Sequence, residues 1–380
     1  MKRRDFLKIG LAAAVSGRLY AAESEPRFLL VFLRGGYDAA NVLVPRASDF
    51  YYQARPNIAV PKGSLLEIDA DWGLHPALAD VHALWKKGEV AFVPFAGTDD
   101  LSRSHFETQD SIEAGGAKGF SSGFMNRLVT QLKDGKPISF TDQLPLVFRG
   151  AAKVANAPLR IAGPGLNARQ SALVAQMYQG TTLADNVSEG FQTREEMSAA
   201  MADSAQMAAA SRNALNPRAF EAQARRVARM MKGGYALGFV DVGGWDTHVA
   251  EGGAEGQLAT RLQALGAGLA AFAGEMGPAW RDTSVVVLSE FGRTFRENGN
   301  RGTDHGHGTV YWVLGGAVRG GVRGERVAVS EKGLFQNRDY PVLNDYRALL
   351  GGLFARLYGL SAAQLASVFP GTPPRDLGLV

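Results

Sequence analysis

Apolar residues gather in short continuous runs separated by glycine-rich loops. Phe28-Leu29-Leu30-Val31-Phe32-Leu33 contains no polar position and ends in Arg34-Gly35-Gly36. A run that is apolar on both alternating sets reads as a strand buried on both faces. Val90–Phe95, Tyr235–Val240 and Ser284–Leu288 read the same way. Between these runs the apolar period lengthens. Leu78, Val81, Leu84 and Trp85 recur at helical spacing behind His75-Pro76, and Ser104–Ala114 opens with hydroxyl and acidic residues, as helices do. Gln257–Met276 reads as an amphipathic helix. Strands alternating with helices predict an α/β fold, a mostly parallel sheet sandwiched by helices. From about 180 to 233 the strand runs stop, and Ala, Met, Gln and Arg dominate. This stretch predicts a helical insertion packed on the sheet or capping it, its methionines serving as core filler. No Pro- or Ser-rich linker and no fixed-period repeat divides the chain, so residues 22–380 are expected to form one domain.

The first 21 residues follow different rules. Lys2-Arg3-Arg4-Asp5-Phe6-Leu7-Lys8 precedes an apolar stretch, Ile9–Val15, and then small residues reaching Ala21-Ala22. A charged start, a short apolar run and a small-residue cleavage site make a signal peptide. The adjacent arginines resemble the twin-arginine export signal, with an ordinary secretory signal or a retained anchor as the alternatives. The twin-arginine reading implies the twin-arginine translocase as a transient partner and a periplasmic or exported destination. The apolar run is shorter than the roughly 20 residues a spanning helix needs, so no stable membrane span is expected. Lys2, Arg3, Arg4, Lys8 and Arg18 against Asp5 give this segment a charge of +4, the same as the whole chain. The remainder is formally neutral, which argues against a nucleic-acid-binding surface. The absence of cysteine excludes disulfides, thiolate catalysis, a lipidated N-terminal cysteine and Cys-ligated zinc.

The candidate chemistry lies in the loops. There are six histidines, and His248, His305 and His307 fall in the segments Gly243–His248 and Thr303–Gly308. Glu290 and Arg293 follow the run at Leu288, and Asp38 follows the first strand-like run. Carboxylates and imidazoles at strand ends offer lone pairs to a divalent cation. Open α/β sheets bind ligands outside the carboxyl ends of their strands, so Asp38, Ser104, Asp246, His248 and Glu290 are expected at one edge. Two ions about 4 Å apart would polarise a phosphoryl or sulfuryl oxygen there. Ser104, at a helix N-terminus, reads as a nucleophile, and Arg293 or Arg34 would pair with a tetrahedral anion. Plainer readings stand beside these. Ser104 suits an N-cap closed by Glu107, His105 a structural hydrogen-bond partner, and Asp38 a turn residue. His75 and His82 read as structural, and Asp304–Gly308 also suits a polar turn.

Together the segments RRDFLK, LRGGYDAANVLVP (33–45), RSHFETQ (103–109), GGWDTH (243–248), SEFGRT (289–294), GTDHGHG (302–308) and LGGAVRGG (314–321) resemble domain-of-unknown-function family 1501. This group of exported proteins is related in fold to the alkaline phosphatase and sulfatase superfamily. The resemblance covers nearly the whole chain and implies an alkaline-phosphatase-like fold. It implies metal ligands at Asp38, Asp246, His248, Glu290 and His305, with His307 less firmly matched, and a nucleophile at Ser104. Glu290 is followed by Phe291, where the superfamily usually has a second ligand, and the spacing of Asp246 to His248 is short. One or two divalent ions, zinc or manganese rather than calcium, are the expected cofactors. The expected function is exported, metal-dependent hydrolysis of a small anionic phosphate or sulfate ester. The alternative is a non-catalytic exported binding or assembly protein that keeps the fold. A mutase or transferase moving a phosphoryl group is a third reading.

Overall fold

The computed structural model describes residues 26–116, 119, 121–159, 176–178, 181 and 220–380. The signal at 1–21 and most of the 180–233 segment lie outside them. Nine strands form the main sheet: β1 (Arg27–Leu33), β2 (Val90–Gly97), β3 (Pro137–Ser139), β4 (Ala155–Asn156), β5 (Leu237–Val242), β6 (Thr283–Ser289), β7 (Thr309–Gly315), β8 (Gly321–Val322) and β9 (Asn344–Asp345). Their order is β8-β2-β7-β6-β1-β5-β3-β4, with β9 also on β2. Every pairing is parallel except those of β7, which runs antiparallel to both β2 and β6. The register between β7 and β2 shifts between Thr309 and Val310.

Double burial is visible residue by residue in β1. Leu29, Val31 and Leu33 join one core cluster, and Phe28, Leu30 and Phe32 join the other. The first cluster is closed by helices α1 (Ala79–Trp85), α4 (Phe220–Lys232) and α5 (Gln257–Met276). The second is closed by α2 (His105–Ala114), α3 (Phe124–Val129), α6 (Tyr346–Tyr358) and α7 (Ala362–Val368). Both faces are therefore dry, as a run of unbroken apolar residues requires. In α4, Met230 and Met231 are buried in the first cluster, the filler role expected of them. No helix among the described residues is long and apolar enough to cross a membrane.

The topology decides where the loops go. The carboxyl ends of β1, β5, β6 and β2 share one edge, because these strands run the same way. β7 runs the other way, so the loop before it, which carries His305, arrives at that same edge. The first strand-end loop is fixed there from below by Arg55. Its side chain is fully buried. Its Nε donates to Phe295 O, Nη1 to Asp38 Oδ2 and Asn41 Oδ1, and Nη2 to Asp38 Oδ1 and Thr294 O. All five guanidinium donors are thus matched, and the Asp38 pair is bidentate. Removing one partner of a buried pair strands the other's charge. Asp38→Ala is expected to lower unfolding stability by about 3–5 kcal/mol in denaturant titrations. A loss below about 1 kcal/mol would mean that Arg55 finds its compensation elsewhere.

Candidate metal centre

Four loops meet above this pair. His105 is the first residue of α2, held there by Ser104, whose side chain caps the helix by accepting from Glu107 N at 3.5 Å. Arg103 just before it adopts φ +52°, a left-handed conformation uncommon for a residue with a Cβ. That turn aims the Arg103 carbonyl at His305 Nδ1, 3.0 Å away. Asp246 and His248 come from the loop after β5, Glu290 and Arg293 from the loop after β6, and His305 from the loop before β7. The loops close tightly because glycines let backbones touch. A Cβ at Gly35, whose φ is +121°, would stand 2.8 Å from Asp246 N.

Ligand atoms of His105, Asp246 and His305 all lie within 4.8 Å of one another. His105 Nε2 is 3.0 Å from His305 Nε2 and 3.6 Å from Asp246 Oδ1, and His305 Nε2 is 3.3 Å from the same oxygen. His248 Nε2 joins them, 3.2 Å from His305 Nε2 and 2.9 Å from Asp246 Oδ1.

The hydrogen bonds on the far side of each ring give this cluster its meaning. His105 Nδ1 faces Glu290 Oε1 at 2.7 Å, His305 Nδ1 faces the Arg103 carbonyl, and His248 Nδ1 faces Asp304 Oδ1 at 3.3 Å. Carbonyls and carboxylates only accept, so each neutral ring carries its proton on Nδ1. Three Nε2 lone pairs and a carboxylate oxygen then converge with no proton between them. A point about 2 Å from the His105, His305 and Asp246 atoms exists, matching a zinc–donor length.

Glu290 is buried, yet its carboxyl is held below the usual range. Burial opposes this, and the His105 and Gln109 hydrogen bonds with two backbone N–H groups outweigh it. Oε1 alone accepts from His105 Nδ1, Gly35 N and Gln109 Nε2 at 2.7–2.8 Å. The same hydrogen bond raises the His105 imidazole, whereas burial lowers that of His305. Arg293 is buried and clamps Asp246 Oδ1 at 2.5 Å while bonding Thr303 Oγ1 and O.

The sequence of this chain, over residues 25–369, matches the family described as "Protein of unknown function (DUF1501)". The chain belongs to the DUF1501 family. A search of the curated proteins finds no match.

This DUF1501 protein brings together Asp246, His248 and His305 among the residues expected as ligands. Asp38 is placed differently: both its oxygens are committed to Arg55 in the layer beneath. Glu290 stands one step back, orienting His105, as second-layer carboxylates do for metal-bound imidazoles. His105, which the sequence suggested as a structural hydrogen-bond partner, stands with Asp246 and His305 in a group that could hold a metal ion. Its signal was present: an imidazole at the first position of a helix, in a motif already singled out. Ser104 is an N-cap, and Arg34 is spent on Asp241, Gln109 and Glu113. Backbone groups hold His75 and His82, and His307 packs against Phe335.

Glu251 links the two layers. Its Oε2 accepts from Thr247 Oγ1 and Thr303 Oγ1, and Thr303 in turn accepts from Arg293. Burial, followed by the Asp38 charge, pushes its carboxyl well above the usual range. Beside Asp38, burial thus favours the protonated form of this carboxyl. A raised folded-state value contributes stability at pH below the unfolded carboxyl range, and this is lost as pH rises through the folded value. Glu251→Gln imitates the protonated form. Unfolding curves across pH should show the parent losing stability relative to this variant as pH rises. A difference that does not change with pH would contradict the protonated assignment.

Proposed function

We propose that this DUF1501 protein is an exported metal-dependent hydrolase of phosphate or sulfate esters with an alkaline-phosphatase-like plan. The observation carrying this reading is the convergence of imidazole Nε2 atoms on Asp246 at the carboxyl edge of a mostly parallel sheet. His105, Asp246 and His305 would hold the ion, with His248 beside them. The donor set of nitrogen and oxygen without sulfur fits zinc or manganese. When bound, such an ion supplies Lewis acidity and lowers the pKa of bound water.

The chain's own residues do the rest. Glu290 fixes the His105 tautomer and makes that ring a better donor. Arg293 holds Asp246 in place and adds positive potential beside the developing anion. Ser104 places its hydroxyl one residue from His105 at the start of α2, where the helix dipole favours an alkoxide over a free hydroxyl.

Two experiments bear on the reading. Protein purified without chelator should contain a transition metal and turn over aryl phosphate or aryl sulfate. His305→Ala should abolish both, and Glu290→Gln should weaken metal affinity about 10–100-fold. Metal-free protein whose melting ignores added zinc and manganese would remove the hydrolase reading in favour of a binding protein. Ser104→Ala separates two roles. As a cap alone, it should cost about 0.5–2 kcal/mol of stability with turnover retained. As nucleophile, it should lower turnover by orders of magnitude, and protein quenched during turnover should carry an adduct on the Ser104 peptide.

A further inference from the structure

Beside the histidine cluster, at the carboxyl ends of β1, β5 and β3, lies a cleft of about 870 Å³. Its walls carry three arginines, Arg34, Arg149 and Arg261, four acids, Asp110, Glu113, Asp142 and Asp241, and the Gly243-Gly244 turn that leads into Asp246. The three arginines are in different states. Arg34 is saturated: Nε donates to Asp241 Oδ2, Nη1 to Gln109 Oε1 and Nη2 to Glu113 Oε1. Gln109 then bonds Glu290, so this wall is continuous with the cluster. Arg149 is exposed at the cleft mouth. Arg261, on the first turns of α5, is not saturated. Its Nη2 donates to the neutral Gln257 Oε1 at 3.2 Å, and its buried Nη1 meets no acceptor among the described residues.

A buried guanidinium donor without an acceptor is costly in a finished protein, and a ligand is a common resolution. Nε of Arg261 lies 3.7 Å from where a Cβ on Gly244 would stand, so the glycine keeps the approach open. Burial lowers the Arg261 guanidinium, and Glu251 opposes that shift. The cation therefore lacks a filled donor set. We propose that this cleft is a second anion-binding subsite, in which Arg261 holds a carboxylate, sulfate or phosphate borne by the same molecule whose ester reaches the histidine cluster. The naming of that molecule as substrate rests on the hydrolase reading. The anion site itself does not. The volume exceeds what a small inorganic ester needs, so the preferred substrate is a larger molecule with two anionic groups.

The test uses the purified protein treated with chelator, so that no metal contributes, and inorganic sulfate as the probe, followed by calorimetry. Parent and His305→Ala should bind sulfate alike. Arg261→Met should bind roughly tenfold more weakly or worse, the loss expected for a charged hydrogen bond. R261K should keep part of the affinity, since it keeps the charge but not the fork, and it guards against a folding defect in R261M. Equal binding by parent and R261M, or no binding by the parent, would overturn the subsite whatever the protein's activity. With metal restored, an aryl phosphate carrying a ring carboxylate should show a lower KM than the unsubstituted ester. R261M should abolish that preference. If neither ester turns over but sulfate binding still depends on Arg261, the hydrolase reading fails and the anion site stands.

Discussion

A single guanidinium with all five donors matched, inside a dry core, sets the geometry on which the rest of the edge depends. Arg55 ties the loop after β1 to the loop after β6 through two backbone carbonyls and one carboxylate. Burying such a charge is expensive unless every lone pair and proton is answered, and a half-answered network is worse than an apolar one. The completeness of the match explains how polar residues can sit under the cluster without softening it. Glu251 extends the layer sideways through Thr247 and Thr303, its carboxyl pushed up first by burial and then by the Asp38 charge.

The site thus has two storeys with opposite electrostatics. Below, charges are paired and sealed from water. Above, Asp246, His248, His305 and His105 remain partly open and incompletely neutralised. Thr303 and Arg293 run between them, so the orientation of Asp246 is inherited from the buried storey. Donors that must meet a cation within tenths of an ångström gain from being mounted on groups that cannot repack.

Much of the sheet was legible because β1, β2 and β6 are buried on both faces and their sequences are correspondingly unbroken. The α5 boundaries, Gln257–Met276, were legible for the same reason: a long period-3.6 pattern between glycines. β7 was not read, although Thr309–Gly315 is as buried as its neighbours. Its Tyr311 and Trp312 carry polar atoms that dilute the apolar run. Asp246 and His305, expected from ligand chemistry and placement, do lie together with His105 in one group that could hold a metal ion, with His248 beside them. Asp38 faces Arg55 and Glu290 faces His105, and residue type alone cannot tell a carboxylate facing a cation from one facing an arginine or an imidazole. Arg55 lies 17 positions after Asp38 with no motif around it, and only the fold reveals their pairing. His105 was weighed as structural because the serine before it offered a more familiar role.

The register irregularity between Thr309 and Val310 has a metrological consequence. One strand residue spans about 3.4 Å, more than a whole metal–donor bond of about 2 Å. A slip of β7 by a single position would carry the His305 ring clear of its companions and turn its neighbours inside out. The pairing of Trp312 with Val287 on one side and Phe92 on the other therefore acts as a gauge block. An apolar contact deep in the sheet sets a distance at its rim to a tolerance that the loop, rich in glycine, has no stiffness to set for itself.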